Sequence, residues 1–280
     1  MLRDFFQLNA PFDTFDNQKF VAHLRTSKHI CNVLYEPDKL EDQKIAGITF
    51  ENVSFSKTLL RRLTFNDCSF IDCLFIGTKL EWVEFHRCRF IYCNFYKAVF
   101  RNVYAKPKQF RQAITESKHA NIAVHLYQQL RENYYSESQR EFKNEAEYGF
   151  AKWKRKNDFV QARRLHFGIH QYLLPHLVSW MYDFLFGYGY RLRNLVTTTV
   201  VALMFACVLN YYCADKLFAE PVQTSFIKTL YFTLTTMTTL GAAGYSPNTE
   251  TGYIFVLINL GIGISILSAT ITAIFKKLVR

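Results

Sequence analysis

Hydrophobic and polar positions divide the chain into a long polar part and an apolar C-terminal third. Residues 195–213 and 252–275 carry no charged side chain, and each segment is long enough to cross a bilayer as a helix of about 20 residues. Basic residues lie before the first segment and after the second: Arg191, Arg193, Lys276, Lys277 and Arg280. The positive-inside rule then predicts a multi-pass protein of the inner or plasma membrane, with two spans and with both termini in the cytoplasm. The first residues lack the apolar core of a cleaved targeting signal, so none is expected.

From residue 45 onward an apolar residue recurs at every fifth position, a period that neither an α-helix nor a flat strand has. The series is Ile45, Phe50, Phe55, Leu60, Phe65, Phe70, Phe75, Leu80, Phe85, Phe90, Phe95 and Phe100. A smaller or aliphatic residue lies two positions before most of them. The segment resembles the pentapeptide-repeat family. That resemblance implies a right-handed, four-sided β-helix over residues 45–104, with one repeat per side and about four repeats per coil.

Stacked coils of this kind place residues twenty positions apart in one column, at the interstrand spacing of about 4.8 Å. Phe50 is then expected over Phe70 and Phe90, and Phe55 over Phe75. Each buried Phe contributes about 1.5 to 3 kcal/mol, so aromatic columns can stabilise a rod that has little other core.

Four cysteines occupy the small inward position of the repeat: Cys68, Cys73, Cys88 and Cys93. Their spacing of five is the repeat itself, whereas a zinc site needs paired ligands two to four residues apart with converging geometry. We therefore expect free thiols that pack in the rod, with no metal and no cofactor.

The surface of the rod is weakly basic. Residues 45–103 contain eight basic and five acidic side chains, which argues against DNA mimicry, and no nucleic-acid partner is expected. We expect a docking or assembly surface for a cytoplasmic ligand or protein that the sequence does not identify. The most decorated patch, which either binds a partner or is simply solvated, comprises Glu81, Trp82, Glu84, His86, Arg87 and Arg89.

Three further segments flank the rod or follow it. Residues 1–44 are expected to form an N-terminal cap or extension, and residues 105–168 show helical spacing that predicts a cytoplasmic α-helical hairpin. One hairpin cannot bury its own apolar face, so it must pack on the rod or on a neighbouring subunit. Residues 169–194 are amphipathic and aromatic, and they predict a helix lying in the membrane interface.

The 280-residue chain has a net charge of +11, and the basic excess is concentrated just before the first span. The basic cluster comprises Lys152, Lys154, Arg155, Lys156, Arg163 and Arg164. Such a cluster suits anionic lipid headgroups, where each charge contributes about 1 kcal/mol. A solvated helix face and a phosphate-bearing ligand are the alternatives. His166, His170 and His176 lie nearby and act either as a pH sensor or as ordinary solvated side chains.

Residues 228–247, KTLYFTLTTMTTLGAAGYSP, lie between the two spans and predict a pore helix that leads into an ion-selectivity filter. Residues 195–280 resemble the two-transmembrane, pore-loop cation channels of the potassium-channel-like class. The resemblance implies a pore helix at about residues 224–237, followed by the filter. Aligned without a gap, the family's filter falls on Thr238, Thr239, Leu240, Gly241, Ala242, Ala243 and Gly244, and its following proline on Pro247.

The chain departs from the family at three filter positions, one of which is Gly244 in place of an aspartate. Ala242 stands in place of a tyrosine and Ala243 in place of the second glycine, whose backbone angles Ala reaches only at about 1 kcal/mol. The segment between Thr229 and Ser246 also lacks the carboxylates that select calcium. We therefore expect a pore of modest selectivity for K⁺, Na⁺ or both.

The resemblance also assigns roles on the second span and at its start. Gly263 falls where the family bends its inner helix, and Leu267, Ile271 and Phe275 recur every four residues on a face that would line and gate the pore. Glu250 lies in the outer mouth and would attract cations. One subunit supplies a single filter strand and a single lining helix, so the channel should be a homotetramer.

Two functions fit the sequence. The first is a cation channel under the control of a cytoplasmic pentapeptide-repeat sensor or assembly domain, which is also how a membrane-depolarising effector of microbial defence would be built. The second is a repeat scaffold tethered to the membrane by a degenerate pore that does not conduct. The sequence contains no grouping of nucleophile, base and orienting residue and no phosphate loop, so we do not expect an enzyme.

Overall fold

The computed structural model describes residues 5–136, 140–165, 168–217, 225–240, 247 and 249–278. The chain forms two compact units, Met1–His176 and Leu177–Arg280.

Short parallel strands make up most of the first unit. They are β1 (Asp13–Phe15), β2 (His29–Tyr35), β3 (Lys39–Glu41), β4 (Lys44–Ala46), β5 (Thr49–Ser54), β6 (Leu59–Arg61), β7 (Thr64–Asn66), β8 (Ser69–Ile71), β9 (Lys79–Glu81), β10 (Glu84–His86), β11 (Arg89–Ile91) and β12 (Val99–Arg101). Three parallel ladders result, in the orders β1-β2-β5-β8-β11, β3-β6-β9-β12 and β4-β7-β10. Isolated parallel bridges among Ser54, Leu74 and Asn94 form the fourth side.

The register of these ladders follows the five-residue period. Phe50 pairs with Phe70, and Phe70 with Phe90, so partners are twenty residues apart. Their rings stack almost parallel, with centroids 5.0 Å and 4.9 Å apart. Phe55, Phe75 and Phe95 form a second stacked column. The predicted four-sided β-helix with internal aromatic columns is confirmed.

The regular coils extend beyond the residues in which the sequence pattern is clear. Ile30, Tyr35 and Leu40 continue the same period before residue 45 and are buried, and β2, within the segment expected to form a cap or extension, pairs with β5. At the other end the ring of Phe110 stacks on that of Phe90 at 4.6 Å.

A short helix closes the N-terminal end of this core. Helix α1 (Asn17–Thr26) is capped by Asp16, whose carboxylate accepts a hydrogen bond from the Lys19 backbone N–H at 2.7 Å. The helix contributes Phe20, whose ring is fully buried against Phe50 and Phe55. The first coil is therefore covered by an aromatic side chain instead of being exposed to water.

The rod cysteines lie inside the coils as expected. The Sγ atoms of Cys73 and Cys93 lie 3.4 Å and 3.3 Å from the carbonyl oxygens of Phe50 and Phe70 on the preceding coil. Thr78 makes the equivalent bond to the Phe55 carbonyl at 2.7 Å. Burial raises the pKa of the Cys73 thiol, which keeps it protonated as a donor. Cys73, Cys93 and Thr78 therefore act as buried packing residues that bond to the preceding coil.

The predicted hairpin consists of α2 (Ala120–Ser136) and α3 (Arg140–Arg164), and it packs on the rod. The side-chain amide of Asn133 exchanges two hydrogen bonds with the backbone of Val103, both at 2.8 Å. The Tyr134 hydroxyl donates to the Ala105 carbonyl, and burial raises the pKa of that hydroxyl. The sequence analysis offered the rod or a neighbouring subunit as the surface on which the hairpin packs. In this structure the hairpin packs on the rod.

The second unit is helical. Helix α4 (Ile169–Phe186) contributes its C-terminal part to this unit and is followed by α5 (Leu192–Leu217), α6 (Phe226–Met237) and α7 (Glu250–Leu278). At 1.5 Å per residue, α5 and α7 are about 39 Å and 44 Å long, whereas α6 is about 18 Å. Only the two long helices can cross a bilayer core of about 30 Å.

The apolar surface of the two long helices faces outward. Only 17% of the most apolar window of each candidate span, Leu192–Cys213 and Glu250–Phe275, is buried within the chain. Phe205 and Leu257 are each more than 60% exposed. A helix from the core of a soluble protein would be mostly covered, so these two helices are membrane spans.

Candidate ion-conduction site

Helix α6 is rich in threonine and packs between the two spans. Thr229 and Thr233 are fully buried, and each hydroxyl donates to the carbonyl four residues earlier, at 3.3 Å and 2.8 Å. This local bonding satisfies the hydroxyl groups where water is scarce. A short helix with several threonines can therefore lie inside the membrane unit.

A chain of hydrogen bonds joins all three helices of this unit. The side-chain amide of Asn210 on α5 donates to the Thr233 hydroxyl on α6 at 2.8 Å, and that of Asn259 on α7 donates to the Asn210 carbonyl oxygen at 3.0 Å. All three side chains are buried. We call Asn210, Thr233 and Asn259 the amide bridge. It fixes the short helix to both spans at its middle.

Sequence reasoning missed the amide bridge. Its signal was nevertheless present, since Asn210 and Asn259 are amide side chains within otherwise apolar spans. Polar residues at such positions face the bundle interior and bond to one another.

Gly263 on α7 allows close contact with the end of α6. A Cβ atom at this position would lie 2.1 Å from the carbonyl oxygen of Met237 and 2.5 Å from its Cα. By contrast, a Cβ on Gly261 would meet no atom within 4 Å. Helix α7 runs without interruption from Glu250 to Leu278 past this point. Gly263 is therefore a packing position in this structure, and its role as a hinge stays a prediction.

Helix α6 ends in a paired-hydrogen-bond turn. The Leu240 N–H donates to the Thr235 carbonyl at 3.0 Å, and the Thr239 N–H donates to the Thr236 carbonyl at 3.2 Å. Thr239 has the left-handed backbone, with φ of 61°, that such a Schellman turn requires. The negative end of the helix dipole lies at this turn and favours a cation there.

The predicted filter is only partly visible. Thr238, Thr239 and Leu240 form the turn after α6, and Leu240 is 79% exposed. The other filter residues, Gly241, Ala242, Ala243 and Gly244, lie outside the described part of the chain. Their roles stay predictions.

The remaining pore positions lie on α7. Glu250 is its first residue, and Leu267, Ile271 and Phe275 leave about half or more of their side chains exposed. Helix α7 is packed on its own unit through other residues, Ala269 and Ala273 among them. The three apolar side chains are thus available to line a pore, a role that stays a prediction.

The basic cluster separates into two sets. Lys156, Arg163 and Arg164 line an open cavity of about 780 Å³ in the first unit, whereas Lys152, Lys154 and Arg155 do not line it. His176 also lines this cavity, His170 is exposed, and His166 lies outside the described residues.

Comparison with known families matches both ends of the chain. Residues 195–280, which contain α6, α7 and nearly all of α5, match the family model described as "Ion channel". Residues 68–104 match the model of pentapeptide repeats, in eight copies. The chain joins pentapeptide repeats to an ion-channel domain. Both family resemblances inferred from the sequence are confirmed. The ion-channel domain thus contains the amide bridge and the turn after α6. No curated protein matches the chain at a significant level.

Proposed function

We propose that the protein is a homotetrameric membrane cation channel of modest selectivity. The observation that carries this proposal is the half-length helix α6, held between two spans by the amide bridge and ending in the exposed turn Thr238–Leu240. A short helix that ends inside the membrane presents the negative end of its dipole to a cation. The ion-channel domain match supports the same function.

Four subunits are needed because each supplies one filter segment and one α7 helix. In the tetramer, Leu267, Ile271 and Phe275 line the inner pore, and their apolar ring closes it by excluding water. Glu250 at the start of α7 attracts K⁺ or Na⁺ to the outer mouth.

The pentapeptide-repeat rod acts as the sensor or assembly domain on the cytoplasmic side. Both termini are then cytoplasmic, the protein resides in the inner or plasma membrane, and Lys152 and Lys154 face anionic headgroups. An opened channel of this design would depolarise its membrane, as a defence effector does. The rod surface offers the place for a cytoplasmic protein partner.

Flux measurements on the full-length protein in liposomes test the channel. Reversal potentials in potassium, sodium and calcium gradients should show cation flux with weak discrimination between K⁺ and Na⁺. Replacing Ala242 by Tyr together with Ala243 by Gly should shift the reversal potential towards potassium. If intact tetramers carry no cation in any gradient, the channel function is wrong and the tethered scaffold is the better account.

A further inference from the structure

The first unit contains an open cavity that none of the proposed channel functions uses. It has a volume of about 780 Å³ and lies among the end of α3, the residues just before α2 and His176 on α4. Basic and aromatic side chains line it: Lys118, Lys156, Phe159, Arg163, Arg164 and His176. Its volume falls in the range typical of small-molecule sites, about 300 to 1,000 Å³.

The positive charge around this cavity is largely uncompensated. Lys118 pairs with Glu116 at 2.6 Å, and the Lys156 ammonium lies over the Trp153 ring at 4.3 Å, but Lys156, Arg163 and Arg164 form no ion pair with any described acidic residue. Burial lowers the pKa of Lys156, and the nearby charges of Lys152 and Arg155 lower it further. An anion in the cavity would relieve this repulsion.

His176 forms part of the same wall. Burial lowers its pKa and the charge of Arg155 lowers it further, whereas a hydrogen bond with the Arg155 backbone acts in the opposite direction. Its Nδ1 atom is inaccessible to solvent, so His176 contributes its ring, packed on Phe159, to the cavity and not a free hydrogen-bonding atom.

The cavity also has an apolar side. The Phe159 ring packs on the imidazole of His176, with centroids 4.4 Å apart, and against Tyr172 at 5.5 Å. A bare phosphate ion would leave most of this volume and the Phe159 surface unused. The lining suits a ligand that joins an anionic group to a larger organic part.

We propose that this cavity binds a phosphorylated organic ligand, with its phosphate against Lys156, Arg163 and Arg164 and its organic part against Phe159. Arg is the preferred residue for phosphate because its planar guanidinium can donate two parallel hydrogen bonds. The site lies at the end of α3, in the hairpin that packs on the rod. A bound ligand would therefore contact the cytoplasmic unit directly. That occupancy changes conductance is a second claim, and it rests on the proposed channel function.

A binding titration on the purified full-length protein tests the site. ATP is the soluble probe, and its binding should be saturable. The double substitution Arg163→Gln and Arg164→Gln should weaken the affinity at least about tenfold, because it removes two charge-assisted contacts. Both side chains are exposed, so folding should be unaffected.

The chain offers a matched control on the same helix. The double substitution Lys152→Gln and Lys154→Gln removes the same charge outside the cavity and should leave ATP affinity within about twofold of wild type. If both double variants weaken ATP binding equally, the interaction is with the diffuse charge of α3 and the proposed site is wrong. Absence of saturable binding of any phosphate probe would also overturn it.

Two sources of the phosphate are distinguished by competition. Vesicles of phosphatidylcholine with phosphatidylglycerol present a phosphate headgroup of net negative charge, whereas in phosphatidylcholine alone the choline neutralises the phosphate. Displacement of ATP only by the anionic vesicles, lost in the Arg163 and Arg164 variant, identifies a lipid headgroup as the occupant. ATP binding that is unaffected by the vesicles identifies a soluble ligand.

Flux measurements separate the site from its regulatory role. ATP-dependent change of cation flux in the wild type, absent in the Arg163 and Arg164 variant, supports regulation. Binding without any effect on an active channel rejects regulation and keeps the site. Binding by a protein that never conducts rejects the channel function and leaves the cavity assignment standing.

Discussion

Replacing Gly263 by Ala should force α7 away from the end of α6. The added Cβ would lie 2.1 Å from the Met237 carbonyl oxygen, and real Cβ atoms essentially never approach a neighbour within 3.0 Å. The two helices must therefore separate by about 1 Å, because the obstructing atoms belong to the backbone and cannot rotate away. The same substitution at Gly261 meets open space.

The magnitude follows from two opposing effects. Ala is favoured over Gly in a helix by about 1 kcal/mol, and this gain applies equally at both positions. Overpacking costs about 1 to 3 kcal/mol and applies at position 263 alone. Gly261→Ala should therefore stabilise the protein by up to about 1 kcal/mol. Gly263→Ala should destabilise it by up to about 2 kcal/mol, so that the variants differ by about 1 to 3 kcal/mol.

Thermal inactivation of cation flux, measured on the full-length protein before and after heating in detergent, reports this difference. Gly263→Ala should also alter flux at low temperature, since the turn at Thr238 follows the displaced helix end. Equal stability of the two variants would show that the close contact is wrong. If Gly263→Ala is as stable as Gly261→Ala and changes only the open probability, Gly263 acts as a hinge instead.

Four further substitutions test separate parts of the molecule. Phe70→Asp buries a charge in the aromatic column, at a cost of several kcal/mol, and should make the rod protease-sensitive, whereas Trp82→Asp on the exposed surface should not. Asn259→Leu breaks the amide bridge and should lower the thermal stability of flux by about 1 kcal/mol. Ile271→Asn should raise resting cation flux by wetting the apolar ring. Thr239→Gly should stabilise the turn after α6 by about 1 kcal/mol and yet abolish discrimination between K⁺ and Na⁺.

Each of these four predictions can be contradicted by a specific result. A protease-resistant rod with Asp at position 70 would contradict the β-helix, and wild-type stability with Leu at 259 would contradict the amide bridge. Unchanged resting flux with Asn at 271 would remove that residue from the gate. Unchanged selectivity with Gly at 239 would remove Thr239 from the filter.

The rod could be predicted from sequence because its repeat is periodic and its contacts are local. One buried residue per side recurs every five positions. Because a coil has four sides, residues twenty positions apart stack on each other. The first coil was missed because Lys28 and Asp38 occupy the position where later repeats have a small or aliphatic residue. Ile30 and Leu40 still supply the inward side chains. The period of five persists there, but the small or aliphatic residue two positions earlier is present only before Tyr35, as Val33.

The contacts inside the membrane unit could not be predicted in the same way. The bond between Asn210 and Asn259 joins residues 49 positions apart, and no periodicity relates them. The role of Gly263 depends on the distance between two helix backbones, which only the assembled unit determines. The sequence could indicate that a polar amide or a glycine within a span has a function. It could not name the partner.

Thr239 combines a strained backbone with a position in the predicted filter. Fourteen residues other than glycine have positive φ in the described part of the chain, and Thr239 alone among them is β-branched. A β-branched residue in this conformation is unfavourable, at about 1 to 3 kcal/mol, whereas glycine would form the same turn without strain. The turn itself therefore gives no reason for a threonine. A requirement for its side chain or its carbonyl direction would give one, and we propose that this requirement is conduction past the end of α6.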